Sequence, residues 1–252
     1  MSFRLSLAAG VAAVALSAAA ASAATIEIKN ITGAWSNPSP VGGITINNGN
    51  PDLPTVRWGD PATTAGQSGY NFDATDTPPG ITVNVPPSPS PDFALGIFTH
   101  LNNPIFGTTL SSIVLTVTAE IIIDSVSQGT RNFVFDFTHD ETDNGATPCA
   151  YGGANGQGAN INGCADRVTV SYNSLSENFV IGTDVYTLNI RGFQQGGVTT
   201  SDFLTVEQQN NSANLIGFVT LRSEVDVPEP MSLALFGLGL AGLGLARRRL
   251  AA

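Results

Sequence analysis

Residues 112–124 read Ser-Ile-Val-Leu-Thr-Val-Thr-Ala-Glu-Ile-Ile-Ile-Asp. Taken alternately, Ile113, Leu115, Val117, Ala119, Ile121 and Ile123 fall on one face, and Val114, Thr116, Thr118, Glu120, Ile122 and Asp124 on the other. A period of two, rich in β-branched side chains, is the pattern of a long strand with one buried face. Residues 131–139 repeat it, setting Phe133, Phe135 and Phe137 against Val134, Asp136 and Thr138. Each apolar face needs a partner to cover it, so the two are expected to share a core. Outward from these, the same reading predicts strands at 24–31, 44–47, 55–58, 81–85, 93–99, 166–172, 184–193, 203–207 and 215–222. Turn-forming clusters punctuate them: Asn-Asn-Gly-Asn-Pro at 47–51, Pro-Pro-Ser-Pro-Ser-Pro at 86–91 and Gln-Gln-Gly-Gly at 194–197. With no helical stripe between the two ends, the chain is expected to be all-β, a β-sandwich of jelly-roll type. The Pro/Ser stretch is read as a stiff loop, so residues 24–223 are expected to form one domain.

Neither end fits this pattern. Arg4 precedes an Ala/Leu/Val-rich segment, 5–20, and Ala21-Ser22-Ala23 supplies the small residues that signal peptidase accepts. Residues 1–23 are therefore expected to be a signal peptide. At the other end, residues 224–252 hold a short spacer, then Pro228-Glu229-Pro230, an apolar run at 231–246, and Arg247, Arg248 and Arg249. As a helix the run reaches about 24 Å, short of a hydrocarbon core of about 30 Å, and it is marginal as a permanent anchor. The three arginines keep to the cytoplasmic side, which leaves the body of the chain outside. This order closely resembles the PEP-CTERM sorting signal of bacteria that make exopolysaccharide. The resemblance implies a chain anchored in the inner membrane by a hydrophobic helix before processing, and cut near Pro-Glu-Pro by the membrane protease-transpeptidase exosortase. Release to the cell envelope or extracellular matrix follows, with exopolysaccharide as a candidate partner.

Charge and cysteines agree with export. All 20 acidic residues lie within 24–230, against six basic ones, Lys29, Arg57, Arg131, Arg167, Arg191 and Arg222. Six scattered cations cannot build the positive face that a phosphate backbone demands, so nucleic acid is excluded as a partner. The only two cysteines, Cys149 and Cys164, flank a Gly/Ala/Asn-rich loop. Outside the cytoplasm they are expected to form a disulfide, and with no histidine in the loop they make a poor zinc set.

The two histidines stand in matching contexts, Phe98-Thr99-His100 and Phe137-Thr138-His139, each at the end of an alternating strand. The tetrapeptide Thr99-His100-Leu101-Asn102 resembles the signature of the THxN family of PEP-CTERM proteins. The similarity extends to Thr32-Gly33-Ala34-Trp35-Ser36-Asn37, Val56-Arg57-Trp58-Gly59, Gln67-Ser68-Gly69-Tyr70-Asn71-Phe72 and residues 98–105. A second block of that family reads His-x-Glu-Thr-Pro-Asn; here His139, Glu141 and Asn144 match it and Asp143 departs from it. The family name implies no activity.

From the residues themselves, several readings are open. Asp140, Glu141, Asp143 and Asn144 offer hard oxygen ligands of the kind calcium takes, although an EF-hand loop fails because its twelfth position is Tyr151 rather than glutamate. His100 and His139 with Asp140 could make a site of two histidines and one carboxylate if their strands are neighbours. The plainer alternative is that Thr99, His100 and Asn102 satisfy backbone groups of the Asn103-Pro104 turn. Among the aromatics, Trp58 has the spacing of an inward position, whereas Trp35, in a polar turn-like context, is expected to be an exposed ring available to sugars. No nucleophile elbow, His-Glu-x-x-His motif or phosphate loop is present. A glycan hydrolase needs only two carboxylates, and that alternative stays open. The expectation is a non-enzymatic exported protein, without cofactor unless calcium, and otherwise a calcium-dependent or carbohydrate-binding matrix module.

Overall fold

The structure, a computed structural model, describes residues 23–75, 80–173 and 176–223. The expected signal peptide and the sorting segment 224–252 lie outside the described residues, apart from Ala23. Among the described residues there is no α-helix, and none is long and apolar enough to cross a membrane. The chain forms β1 Ala24–Ser39, β2 Ile44–Asn47, β3 Thr55–Trp58, β4 Asp60–Pro61, β5 Ser68–Ala74, β6 Ile81–Val85, β7 Phe93–Asn102 and β8 Ile105–Phe106. It continues with β9 Ser112–Ile123, β10 Val126–Asp140, β11 Asp166–Tyr172, β12 Phe179–Ile181, β13 Asp184–Gln195, β14 Val198–Thr200, β15 Asp202–Thr205 and β16 Gln209–Ser223.

The strands form a β-sandwich. One sheet runs β15-β11-β10-β9-β1-β6, the other β12-β13-β16-β7-β5-β3-β2 with β14 paired to β13; β4 and β8 make a small separate ladder. The two sheets carry more strands than the eight of a jelly roll.

The hairpin β9–β10 is the centre of the first sheet. Along β9 buried and half-buried residues alternate without a break, and the face Ile113 to Ile123 is the buried one. Asp124 and Ser125 both take positive φ, 47° and 68°, which is the backbone of a two-residue turn whose twist matches the strands it joins. β10 then returns in register, placing Phe137 opposite Ile113, Phe135 opposite Leu115 and Phe133 opposite Val117. Burying this row of side chains, at roughly 25 cal/mol per Å² of apolar surface, is a main stabilising term of the domain.

β1 runs eight residues past the expected end of its strand, because the alternation that marks it changes phase at a bulge. Its register against β9 shifts between Lys29 and Thr32, where Asn30 adopts φ 52°. The shift flips the parity of the strand: Ala24, Ile26 and Ile28 point inward before it, Ile31 and Trp35 after it. Trp35 is thus only 1% exposed, and the expectation of an exposed ring is corrected.

The Pro/Ser stretch at 86–91 is docked along the second sheet. Ser90 N–H donates to Val219 O, Val219 N–H to Ser90 Oγ, and Leu221 N–H to Ser88 Oγ, at 2.8, 2.9 and 2.9 Å.

Candidate functional site

The two sheets bring a polar cluster together inside an otherwise aromatic core. The second sheet contributes Trp58 from β3, Tyr70 from β5, and His100 and Asn102 from β7. The first contributes His139 from β10, Asp166 from β11 and Thr205 from β15. Glu141, Asn144 and Glu207, from the segments that follow β10 and β15, close it. His100, Asn102, Asp166, Thr205 and Glu207 are fully buried, and His139 is 4% exposed.

The imidazoles face each other edge to face, with ring centroids 5.0 Å apart. Trp58 stacks on His100 at 5.8 Å and meets His139 at 5.2 Å, while Tyr70 lies 5.2 Å from His100 and 5.6 Å from His139. Hydrogen bonds fix both rings. His100 Nδ1 is 2.9 Å from Thr205 Oγ1; His139 Nδ1 is 2.6 Å from the Tyr70 hydroxyl, and its Nε2 is 3.2 Å from Glu141 Oε2. Asp166 Oδ1 accepts from Thr142 N–H at 2.8 Å, and Asn102 Nδ2 donates to Thr205 O at 3.1 Å.

Several atoms remain without a partner: His100 Nε2, Asn102 Oδ1, Asn144 Oδ1, Asp166 Oδ2, both carboxylate oxygens of Glu207, and Trp58 Nε1. A buried polar atom left unpaired costs about 1–3 kcal/mol. Among the described residues, metal-ligand atoms come within 4.8 Å of one another in two groups, His100 with His139 and Asp166, and Glu141 with Asp166 and Glu207. Asp166 belongs to both.

Burial dominates the titration of these groups. It pushes Asp166 up to about 8, with Glu141 adding to the shift, and Glu141 and Glu207 up to about 7. Asn144 and Asn102 favour the charged form of Glu207, and Trp58 that of Glu141, but none of these contacts reaches hydrogen-bond geometry. Burial lowers His139 to about 4 against the opposing pull of Asp166 and Asp140, and holds His100 well below the usual histidine range, helped by His139. It also raises Tyr70 well above the ordinary phenol value, so the phenol is neutral.

A pH dependence follows for the protein in buffer free of divalent cations. The carboxyls are raised in the fold, so their contribution is fully present below the unfolded values near 4 and is lost as pH rises through 7 to 8. The histidines are lowered, so theirs is present above 6.5 and lost as pH falls through about 4. Between pH 6.5 and 8 only the carboxyls act. The thermal midpoint will fall across that window, and Asp166→Asn will flatten the slope; a midpoint that rises there contradicts the arrangement.

The residues singled out in the sequence divide between the cluster and the surface. His100, Asn102, His139, Glu141 and Asn144 belong to the cluster. Thr99, one position off the inward parity of β7, instead bonds Ser212 Oγ at 2.9 Å. Asp140 faces outward and accepts from the Tyr151 hydroxyl, so the carboxylate that joins the two histidines is Asp166 rather than Asp140. Asp143 is exposed and accepts from Gly145 N–H at 2.9 Å. His100 and Asn102 do not serve the Asn103-Pro104 turn. That turn is held by Ser68, which bonds both the carbonyl and the N–H of Asn103, and by Gln67 O, which accepts from Asn103 Nδ2. Asp166, Thr205 and Glu207 escaped the sequence reading, although a signal exists. Asp166 shares the inward parity of Val168 and Val170, and Glu207 that of Phe203 and Thr205, and a charge on an inward parity requires a partner.

The stretches that carry the THxN resemblance converge here. Trp35 lies 5.9 Å from Tyr70, Trp58 and Tyr70 line the histidines, and Gln67 Nε2 donates to Gly59 O at 2.9 Å. Gly59, at φ 73°, turns the chain after Trp58 where any Cβ would collide with Ile105. A surface pocket bordered by Gly43, Gly59, Asp60, Gln67 and Thr108 carries one carboxylate, short of the pair a glycosidase uses.

Residues 226–249 match the PEP-CTERM protein-sorting motif. The motif implies an exported protein that exosortase processes at the membrane, extracellular in its destination, of a class that is typically cargo rather than catalyst. No curated protein matches the chain. The disulfide Cys149–Cys164, with Cα atoms 5.3 Å apart, fits that oxidising destination.

Proposed function

We propose that this chain is a non-catalytic component of the cell envelope or extracellular matrix, of the THxN type, whose sandwich spanning residues 24–223 is delivered by its two ends. Signal peptidase removes residues 1–23. The apolar run 231–246 then holds the body at the outer face of the inner membrane until exosortase cuts near Pro228-Glu229-Pro230. The observation that carries the reading is the PEP-CTERM match across residues 226–249. The subgroup assignment is supported by the meeting of Trp58, Tyr70, His100 and Asn102 around one cluster. Its acidic body, with 20 Asp and Glu in the chain, suits a solvated exported protein.

Replacing Arg247, Arg248 and Arg249 by glutamine removes the charges that fix the orientation of the run. Cell fractionation is expected to show an uncut precursor accumulating in the membrane and loss of most of the released form. Unchanged processing and location would overturn the proposal.

A further inference from the structure

We propose that the buried cluster between the sheets binds one divalent transition-metal ion of the zinc type, held by His100 Nε2, His139 Nε2 and Asp166 Oδ2, with Glu141 and Glu207 beside it.

The orientation of His100 comes first. Thr205 Oγ1 lies 3.4 Å from Asp166 O, its one hydroxyl proton's acceptor, and so receives the bonds from Asn102 Nδ2 at 3.3 Å and from His100 Nδ1. With the protons placed in this way His100 donates through Nδ1, and Nε2, fully buried and without a partner, keeps its lone pair for a ligand. A ligating histidine is set in this way, with one nitrogen donating to an orienting group and the other free for the metal. His139 has a matching device: with Nε2 on an ion, Nδ1–H donates to the Tyr70 hydroxyl that it already touches.

The unpartnered atoms give the second argument. Apart from the Trp58 indole N–H, every orphan at the cluster is an atom that accepts or, in a carboxyl, accepts once its proton is lost: His100 Nε2, Asn102 Oδ1, Asn144 Oδ1, Asp166 Oδ2 and the two oxygens of Glu207. Among the described residues no lysine or arginine pairs with Glu141, Asp166 or Glu207; the ion pairs of those cations are Lys29 with Glu27 and Arg191 with Asp92. Buried acceptors and carboxylates with no cationic side chain are what a divalent ion neutralises.

The donor set selects the ion. Calcium takes oxygen, whereas imidazole favours zinc and its first-row neighbours. Ligands on one such ion, at about 2.1 Å each in tetrahedral geometry, sit about 3.4 Å apart. Ligand atoms of the three residues lie within 4.8 Å of one another, so an ion would draw them together by up to about 1.4 Å. Glu141, with 18% of its side chain exposed, marks the side from which an ion enters. An ion there ties β7 of one sheet to β10 and β11 of the other.

The test uses the untagged full-length chain in detergent, stripped with a chelator and titrated with zinc, cobalt(II) and calcium by calorimetry and thermal shift. Expected are one zinc or cobalt ion per chain, a rise in thermal midpoint, and an X-ray absorption spectrum of the zinc form with two imidazoles in the shell. His100→Gln and Glu207→Gln should each weaken zinc by roughly tenfold to a hundredfold or more. If His100→Gln fails to fold, Glu207→Gln and the wild-type spectrum decide. Glu207→Gln also separates a site from packing, because it removes a buried charge and should leave the metal-free protein at least as stable. Binding of calcium alone, a shell without imidazole, or no zinc or cobalt binding would each overturn the proposal.

Discussion

Trp35→Ala will destabilise the protein by about 3–5 kcal/mol, the range for deleting a large aromatic from a packed core. Trp35 is 1% exposed, meets Phe137 edge-on at 5.3 Å and Tyr70 at 5.9 Å, and its indole N–H donates to Pro54 O at 3.1 Å. Alanine removes the ring and orphans a buried carbonyl at once. Against a total stability of about 5–15 kcal/mol, this is a large part of the margin. Trp35→Phe keeps most of the buried area and loses the donor, so it should cost less, about 1–3 kcal/mol. The chain has only two tryptophans, so Trp58 remains as a buried fluorescent reporter for urea unfolding of the variants. A loss under about 1 kcal/mol for Trp35→Ala would mean that the ring is not a core element.

Trp35 also shows where the sequence stops being legible. β9 and the middle of β10 could be read directly, since local alternation carries all the information when a strand keeps its parity. β2, β3, β6 and β11 have the predicted bounds for the same reason. Parity on β1 changes at the bulge between Lys29 and Thr32, and Asn30, though of a type that tolerates positive φ, does not by itself mark a bulge. β5 was hidden by composition. Gly69, Asn71 and Asp73 look like turn residues, yet they are the outer partners of the inward Ser68, Tyr70, Phe72 and Ala74, with Gly69 itself kept small by the Val56 carbonyl. The site was half visible. His100 and His139 could be recognised as a matched pair at strand ends, but they belong to different sheets, and a contact across a sandwich leaves no periodic trace in either strand. Asp166 is directly opposite Thr205 in register, a pairing 39 residues apart that the sequence alone could not have shown.

The second large effect is expected at the disulfide. Cys149→Ser with Cys164→Ser opens a loop whose ends are 15 residues apart, and chain entropy alone predicts a loss of about 3 kcal/mol. For a domain of this size, the thermal midpoint should drop by roughly 6–12 °C. The loss should also be local. Cys164 O accepts from Thr142 Oγ1 at 2.8 Å, Ala165 N–H donates to Asn160 Oδ1 at 2.9 Å, and Asn155 Nδ2 reaches Asn144 O at 2.8 Å. Through these bonds the closed loop holds Thr142, whose N–H donates to Asp166 Oδ1, and so braces the outer wall of the buried cluster. Hydrogen exchange read at the Thr142 amide should therefore lose protection in the double variant while amides of β9 and β10 keep theirs, because the hairpin core does not depend on the loop. Unchanged protection at Thr142 together with a midpoint shift below about 3 °C would show that the loop's hydrogen bonds suffice without the covalent link.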